Sequence, residues 1–318
     1  MGKYIIKRIA LLIPTLLIVC LVVFILVRCL PGGAVDALLY KLQSSGVSDA
    51  TEESVAAMLG LDKPAVTQFF VWLGNVLKGD LGDCFFRNET VAGCIGRQLL
   101  PSLELGLLIL LFSNLISIPL GVYCAAHQDS ISDFAIRVLS LLLMSIPVFW
   151  IATMVLIYPA LWWRWSPPTE YIRFFADPIA NLKMFVVPAL LGALTNCGMQ
   201  LRYVRTVTLE TMRSDYVRTA RAKGVKQRRV LFHHALRNAM LPVITLIGGS
   251  VSALVGGSVI LESLFSIPGI GALVITALNA RDYPLMQGCV LIFSLVVMVV
   301  NVIVDILYKK FDPRITLE

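Results

Sequence analysis

The sequence predicts an all-α membrane protein with six transmembrane helices and both termini in the cytoplasm, and three observations predict it. Mean hydropathy is +0.82. Of the 318 residues, 58% are hydrophobic and only 15% charged, far below the roughly 25% charged content of soluble domains. The apolar residues come in runs of the roughly 20 that a helix needs to cross hydrocarbon, with Lys and Arg crowded into some of the connecting segments and not others. That asymmetry is the positive-inside pattern. It accounts for the net charge of +7 without nucleic acid, which would call for a basic stripe or groove rather than charges flanking apolar spans.

Lys3, Lys7 and Arg8 precede the first apolar run and put its N-terminus in the cytoplasm. Residues 9–30 are too long for a signal-peptide h-region of about 7–15 residues, and LPGGAV after them offers no small-residue cleavage site, so residues 1–30 read as a cytoplasmic start and a retained helix. Arg28 near its far end can snorkel to the headgroups. Residues 31–99 form an extracytoplasmic loop, with Asp36, Asp49, Glu52, Glu53, Asp62, Asp80, Asp83 and Glu89 outnumbering Lys41, Lys63, Lys78, Arg87 and Arg97. Within it, Ser48 or Thr51 can cap a short helix stopping at Gly60, and Pro64 can open a second. The second puts Phe69, Trp72, Leu73 and Val76 on one face, to lie along the outer surface or pack on the bundle. Cys84 and Cys94 share this loop, where a disulfide and two free thiols are both open readings.

A five-helix core occupies residues 100–308. The second span covers about 101–123 and the third about 134–159, kinked at Ser145-Ile146-Pro147. Glu104, near the outer end of the second span, is expected to answer the helix dipole and the orphan N–H groups. Trp162, Trp163, Trp165, Tyr171 and Phe174 read as an interfacial aromatic belt. The fourth span covers about 184–203. The fifth covers about 241–262, with close-packing small residues at Gly248, Gly249, Ser252, Gly256 and Gly257. The turn 263–284 is punctuated by Pro268, Gly269 and Gly271, with a short helix after Gly271. The last span, about 285–308, ends at Lys309 and Lys310, and a tail of residues 309–318 returns to the cytoplasm.

The segment from Ser214 to Pro242 is the most basic in the chain. Arg202, Arg205, Arg213, Arg218, Arg221, Lys223, Lys226, Arg228, Arg229 and Arg237 face only Glu210 and Asp215 across residues 202–237. At mid-membrane each such cation costs roughly 2.5–3.5 kcal/mol on insertion scales, so the loop, about residues 207–237, is cytoplasmic. Ser214 can N-cap a short helix, Asp215 suits its dipole, and Gly224 ends it in a left-handed position. Tyr216, Val217 and Ala220 then form a small apolar face, with Arg218 and Arg221 beside it. Such a knob can press into a partner's groove; a solvated basic loop touching anionic lipid is the alternative reading.

Catalytic chemistry finds no foothold. The sequence lacks HExxH, the G-x-S-x-G elbow and the phosphate cradle G-x-x-x-x-G-K-[ST]. His127, His233 and His234 are the only histidines, all at the inner face, and the last two sit among arginines, so no metal site is expected. An intramembrane hydrolase would have no nucleophile and base to assemble. An ATP-independent carrier or channel is the competing reading, weakened because no ionisable residue sits deep in a span. If ATP powers this protein, another polypeptide binds it.

The segment DYVRTARAKGV with RRVLFHHALRNAMLPVIT resembles the cytoplasmic loop of permeases from ABC importers, in the spacing of the dipeptide, oligopeptide and nickel branch. Ala220 and Gly224 match its Ala-x-x-x-Gly core, Leu241-Pro242 match its end, and Arg218 departs by standing where the wider family often has Glu. FSIPGIGALVITALNARDYPLMQG is similar to that branch's turn before the last helix. KYIIKRIALLIPTLL and LGLDKPAVTQFFVWLGNVLKGDLG resemble the first of two paired permeases. The resemblance spans nearly the whole chain and implies a type I importer permease fold in a bacterial inner membrane. It implies as partners a homologous second permease, two ATPase subunits carrying ATP and Mg, and an extracytoplasmic solute-binding protein, with no cofactor on this chain. Peptides are the expected substrate, and nickel or a metal chelate the alternative. Asp215, Tyr216, Val217, Arg218, Ala220, Arg221 and Gly224 would meet the ATPase. Asn114, Met144, Asn196, Met199 and Gln200 are candidate lining of the solute path, chosen by polarity and position in the spans.

Overall fold

The computed structural model describes residues 2–29, 33–44, 51–58, 60–257 and 259–311. Its helices are α1 (Gly2–Arg28), α2 (Ala34–Ser44), α3 (Glu52–Met58), α4 (Ala65–Leu77), α5 (Val91–Ala126), α6 (Ile131–Ser145), α7 (Val148–Trp163), α8 (Pro178–Met212), α9 (Asp215–Ala222), α10 (Gln227–Arg229), α11 (Leu236–Gly257), α12 (Val259–Leu264), α13 (Ile270–Ala280) and α14 (Tyr283–Phe311). A π-helical turn, Val230–Ala235, joins α10 to α11. Among the described residues the only strand-like feature is an isolated bridge between Asp83 and Thr90.

Five of these helices are long and apolar enough to cross a membrane, and six spans result if α6 and α7 count as one. Their lipid-ready sides are bare: Leu11, Ile18 and Leu26 on α1 are each more than half exposed, a surface that hydrocarbon tolerates and water does not. The third span differs from the kinked helix expected. α6 and α7 meet at 90°, because Ile146 and Pro147 take extended backbone and Pro147 opens α7 instead of continuing α6.

The chain divides into two compact units. One comprises Met1–Ser102 and Pro268–Val299, the other Leu103–Ile267 and Val300–Glu318. The first is organised around Val23 and Val27 of α1, Cys84, Val91, Cys94 and Ile95, Ile270, Leu273 and Ala277 of α13, and Leu285, Met286 and Cys289 of α14. Residues 31–99 are therefore not a free-standing loop. Their last nine residues already belong to α5, whose N-cap is Thr90: its Oγ1 accepts from Gly93 N at 3.1 Å. Thr51 opens α3 through a bond from Ser54 N to its Oγ1 at 3.3 Å; Ser48, the other candidate cap, lies outside the described residues, as do residues 312–318 of the tail. The predicted face of α4 is its half-buried side, and it packs on α1. Phe69 meets Phe24 edge-on at 5.2 Å and Trp72 lies 6.0 Å from the same ring. Arg28 is held there too, its guanidinium 3.4 Å over Phe24 and hydrogen-bonded to Gln68, so it packs rather than snorkels. The short helix is present but α13 starts at Ile270 with Gly269 as its N-cap, ahead of the start after Gly271 that was expected, and Asp282 caps α14 through Leu285 N at 3.2 Å.

The second unit has its main core around Leu105, Ile109, Met184, Phe185, Leu261 and Phe265. Asp177 caps α8 by accepting from Ile179 N and Ala180 N, both at 3.0 Å, with Pro178 at the first helical position. Glu104 does not answer a dipole, because α5 begins at Val91 and Glu104 lies more than three turns inside it. Its carboxylate accepts from Tyr171 Oη at 3.3 Å instead. Tyr171 thus leaves the aromatic belt. It stands edge-on to the buried Phe185 at 6.1 Å, and burial, then Glu104, pushes its phenol above the usual range. Trp162 and Trp163 are largely exposed, as anchors should be.

Candidate functional site

Polar groups inside an apolar helix bundle must find partners, since each unsatisfied one costs several kcal/mol in hydrocarbon. The second unit gathers one such group where α5 meets α8. Gln200, buried on α8, accepts through Oε1 from Ser113 Oγ at 2.7 Å and Ser117 Oγ at 3.0 Å, both buried on α5. Its Nε2 donates to Asn114 Oδ1 at 2.9 Å, and Asn114 Nδ2 donates to Leu110 O at 2.7 Å. Ser113 and Ser117 are one turn apart, so both hydroxyls reach the same carbonyl.

Beside this network lies a cavity of about 410 Å³ lined by Leu110, Ser113, Met144, Thr195, Asn196, Met199, Gln200, Leu246 and Ser250. Four helices supply it: α5, α6, α8 and α11. Met144 is pressed against α8 because residue 198 is Gly; a Cβ there would come within 2.6 Å of Met144 Cγ and 2.8 Å of Ser140 O. Of the five residues chosen from sequence, Met144, Asn196, Met199 and Gln200 line the cavity and Asn114 is tied to it through Gln200. Sequence reasoning missed Ser113, Ser117, Thr195, Leu246 and Ser250. The signal for the serines was present, as they flank Asn114 at helical spacing. Every polar liner is a neutral amide or hydroxyl and the two sulfurs are thioethers, so the cavity can hydrogen-bond a polar solute without fixing a charge.

Below the cavity α6 and α8 are locked by a buried ion pair. Arg205 donates to the fully buried Asp133 carboxylate from Nε at 2.9 Å and Nη2 at 2.8 Å, a bidentate fork. Arg137 Nε lies 3.4 Å from the same carboxylate, and Asp129 N donates to it at 3.1 Å.

α8 then hands over to α9. Val217 N and Arg218 N bond to Ser214 O, each at 3.1 Å. The Ser214 side chain is not the cap expected; its hydroxyl donates backwards to Thr211 O at 2.5 Å. The C-terminal end is as expected. Gly224 has φ +77°, with Gly224 N on Arg221 O at 2.9 Å and Val225 N on Ala220 O at 3.2 Å, the paired bonds of a Schellman motif. The apolar face is corrected, however. Val217 is 0% and Ala220 9% exposed, packed with Val225 and Val230 of this same chain. They seat α9 on the π-helical turn and are not offered outward. What remains on the surface is Asp215, Tyr216, Arg218, Thr219, Arg221, Ala222, Lys223 and Gly224, with Asp215 and Arg218 paired loosely at 3.7 Å. Tyr216 Oη accepts from Asn238 Nδ2 at 2.8 Å, a second tie to α11. The basic loop is also shorter than its charge suggests, since helix resumes at Gln227 and Pro242 lies inside α11.

Comparison with known proteins accords with this architecture. Residues 117–317 match the family described as binding-protein-dependent transport system inner membrane component, and residues 1–104 match the N-terminal part of such membrane components. The chain is 39% identical over 315 residues to a putative peptide transport system permease protein of Brucella suis, covering 99% of both chains. It is 35% identical to the oligopeptide transport system permease AppB of Bacillus subtilis and 33% identical to the dipeptide transport system permease DppB of Escherichia coli, again over 99% of each chain.

Proposed function

The chain belongs to the family of binding-protein-dependent transport system inner membrane components, and from that premise we propose that it is the permease half through which a di- or oligopeptide enters the cell. Two ATPase subunits carrying ATP and Mg drive it from the cytoplasm, a homologous second permease completes the path, and an extracytoplasmic binding protein delivers the peptide. Both termini and the loop carrying α9 face the cytoplasm in this reading, supported by the excess of Lys and Arg over residues 202–237.

The observation that carries the peptide assignment is the neutral amide and hydroxyl lining centred on Gln200. Amides and hydroxyls both donate and accept, which suits peptide N–H and C=O groups. A bare nickel ion would call for imidazole, thiolate or carboxylate, and the lining of this cavity contains none of these.

Coupling follows from where α9 is tied. An ATPase that moves its exposed side moves α8 through the Ser214 turn, and moves α11 through Val217, Ala220 and the π-helical turn. α8 and α11 both line the cavity, so one push at α9 reaches two of its walls. Reconstitution tests the whole. The permease pair with its ATPases in proteoliposomes should take up labelled peptide only with ATP and binding protein, and Gln200→Leu should abolish most of it. Uptake by this chain alone, without any ATPase, would instead establish a carrier.

A further inference from the structure

Two cysteines ten residues apart stand where the segment after α4 runs into α5, Cys84 before the helix and Cys94 in its first turn. Cys84 Sγ lies 3.5 Å from Cys94 Sγ, and both thiols are buried in the core of the first unit. Side-chain rotation can close that gap to the ~2.05 Å of a disulfide. The backbone is prepared for it: Cys84 N bonds to Glu89 O and Val91 N to Gly82 O, each at 3.0 Å, around the Asp83–Thr90 bridge. The sulfurs therefore meet beside a narrow hairpin whose two legs are already paired, Cys84 on its first leg and Cys94 in the turn of α5 that follows the second.

We propose that Cys84 and Cys94 are joined by a disulfide in the protein as it stands in the membrane. This rests on the topology given above, in which residues 31–99 face the extracytoplasmic side, where disulfides form and persist. The co-reactant is a disulfide-bearing thiol oxidant on that side. One cysteine thiolate attacks the oxidant's S–S bond to give a mixed disulfide and release one oxidant thiol; the second cysteine sulfur then displaces the other. The oxidant ends as a dithiol with the two electrons and, in net terms, the two protons that the cysteines give up. In the packed hairpin burial, with Cys94 next to it, pushes the Cys84 thiol up to about 12. Exchange accordingly belongs to the stage before the hairpin packs, and the finished bond is shielded from reductants.

The bond would pin a junction. Within the hairpin, Phe85 O accepts from Lys41 Nζ at 3.1 Å and Phe86 N donates to the α14 cap Asp282 at 3.4 Å. A covalent link from Cys84 to Cys94 in the first turn of α5 ties the hairpin that makes those contacts to α5 itself.

Trypsin cuts between the two cysteines at Arg87, which makes the test direct. The full-length protein is alkylated with N-ethylmaleimide in denaturant at membrane lysis, purified and digested without reductant. The peptides Gly79–Arg87 and Asn88–Arg97 should run as one species, lighter by two hydrogens than their sum, that separates on reduction and is lost in Cys84→Ser. Two maleimide-capped peptides overturn the proposal, and so does a link from either cysteine to Cys289, which shares this core. Alkaline phosphatase fused after Gly60 reads the side independently. An active fusion with capped thiols sinks the disulfide and leaves the topology standing; an inactive fusion overturns the topology and, with it, the oxidation route.

Discussion

Replacing Asp133 with Ala tests whether α6 and α8 are held by charge. The carboxylate is fully buried and the Arg205 side chain only 15% exposed, so the substitution leaves a guanidinium desolvated and without its counter-charge. Breaking one partner of a buried pair costs about 3–5 kcal/mol, whereas replacing both by apolar side chains is often close to neutral. The expected order of stability is therefore wild type near Asp133→Leu/Arg205→Met, with Asp133→Ala well below both. At roughly 2–4 °C per kcal/mol for a protein of 150–250 residues, a scale taken from soluble proteins, the single mutant should melt about 6–20 °C lower. Cys20, Cys124, Cys197 and Cys289 are buried, so a maleimide dye that fluoresces on reaction reports unfolding in detergent or nanodiscs without added probes. A single mutant melting within a degree or two of wild type would refute the charge-lock. A double mutant as unstable as the single one would show that shape at the α6–α8 contact, and not the orphaned charge, is what matters.

Substitutions at five further positions follow. Gly224 has φ +77° but open space where a Cβ would go, so conformation and not volume is at stake. Gly224→Asn should keep ATP-driven uptake and Gly224→Val should lose it, even in membranes where both variants insert normally. Val217→Asp puts a carboxylate into the contact with Val230 and should uncouple ATP hydrolysis from uptake, while Tyr216→Ala should weaken ATPase pull-down less, having lost one exposed contact. Gln200→Leu strands the Ser113 and Ser117 hydroxyls at about 1–3 kcal/mol each; Gln200→Glu, which keeps the acceptor, should recover more thermal stability than transport. Asp282 is buried and its carboxyl raised for that reason, so its protonated form is favoured by the fold. Stability from it is fully present below the ordinary Asp value and is lost as pH rises through the higher folded value. Asp282→Asn keeps a good N-cap and should flatten that part of the stability-versus-pH curve.

Local chemistry was legible in the sequence wherever one residue decides the backbone. Gly224 and Pro64 each end or begin an element at the expected place. Asn114, Asn196 and Gln200 were also legible as candidates, since amides within apolar runs must find partners, on their own helix as for Asn114 and Asn196 or across to another as for Gln200. What failed to show was anything depending on what lies opposite. The Val217 and Ala220 face looked like an interface, because the Val230 that covers it lies across a loop. Glu104 was misassigned because Thr90, the cap that starts α5 early, stood inside a polar stretch read as loop. Pro147 announced a break, but a 90° angle is set by what the two half-helices pack against. Tyr171 was counted with the tryptophans since composition cannot separate a ring at the lipid surface from one over Phe185.

α8 spans 35 residues, about 52 Å at 1.5 Å per residue. It carries Asn196 and Gln200 at the cavity, Arg205 on Asp133 and the Ser214 turn at its end. Along such a rod angular phase is conserved as strictly as distance. Inserting a single residue between Gln200 and Arg205 would lengthen it by only about 1.5 Å but rotate everything beyond by about 100°, swinging Arg205 off Asp133 and α9 off its seat together. The permease is therefore far less tolerant of a one-residue change in this helix than of a large change in side-chain size along its lipid-facing side.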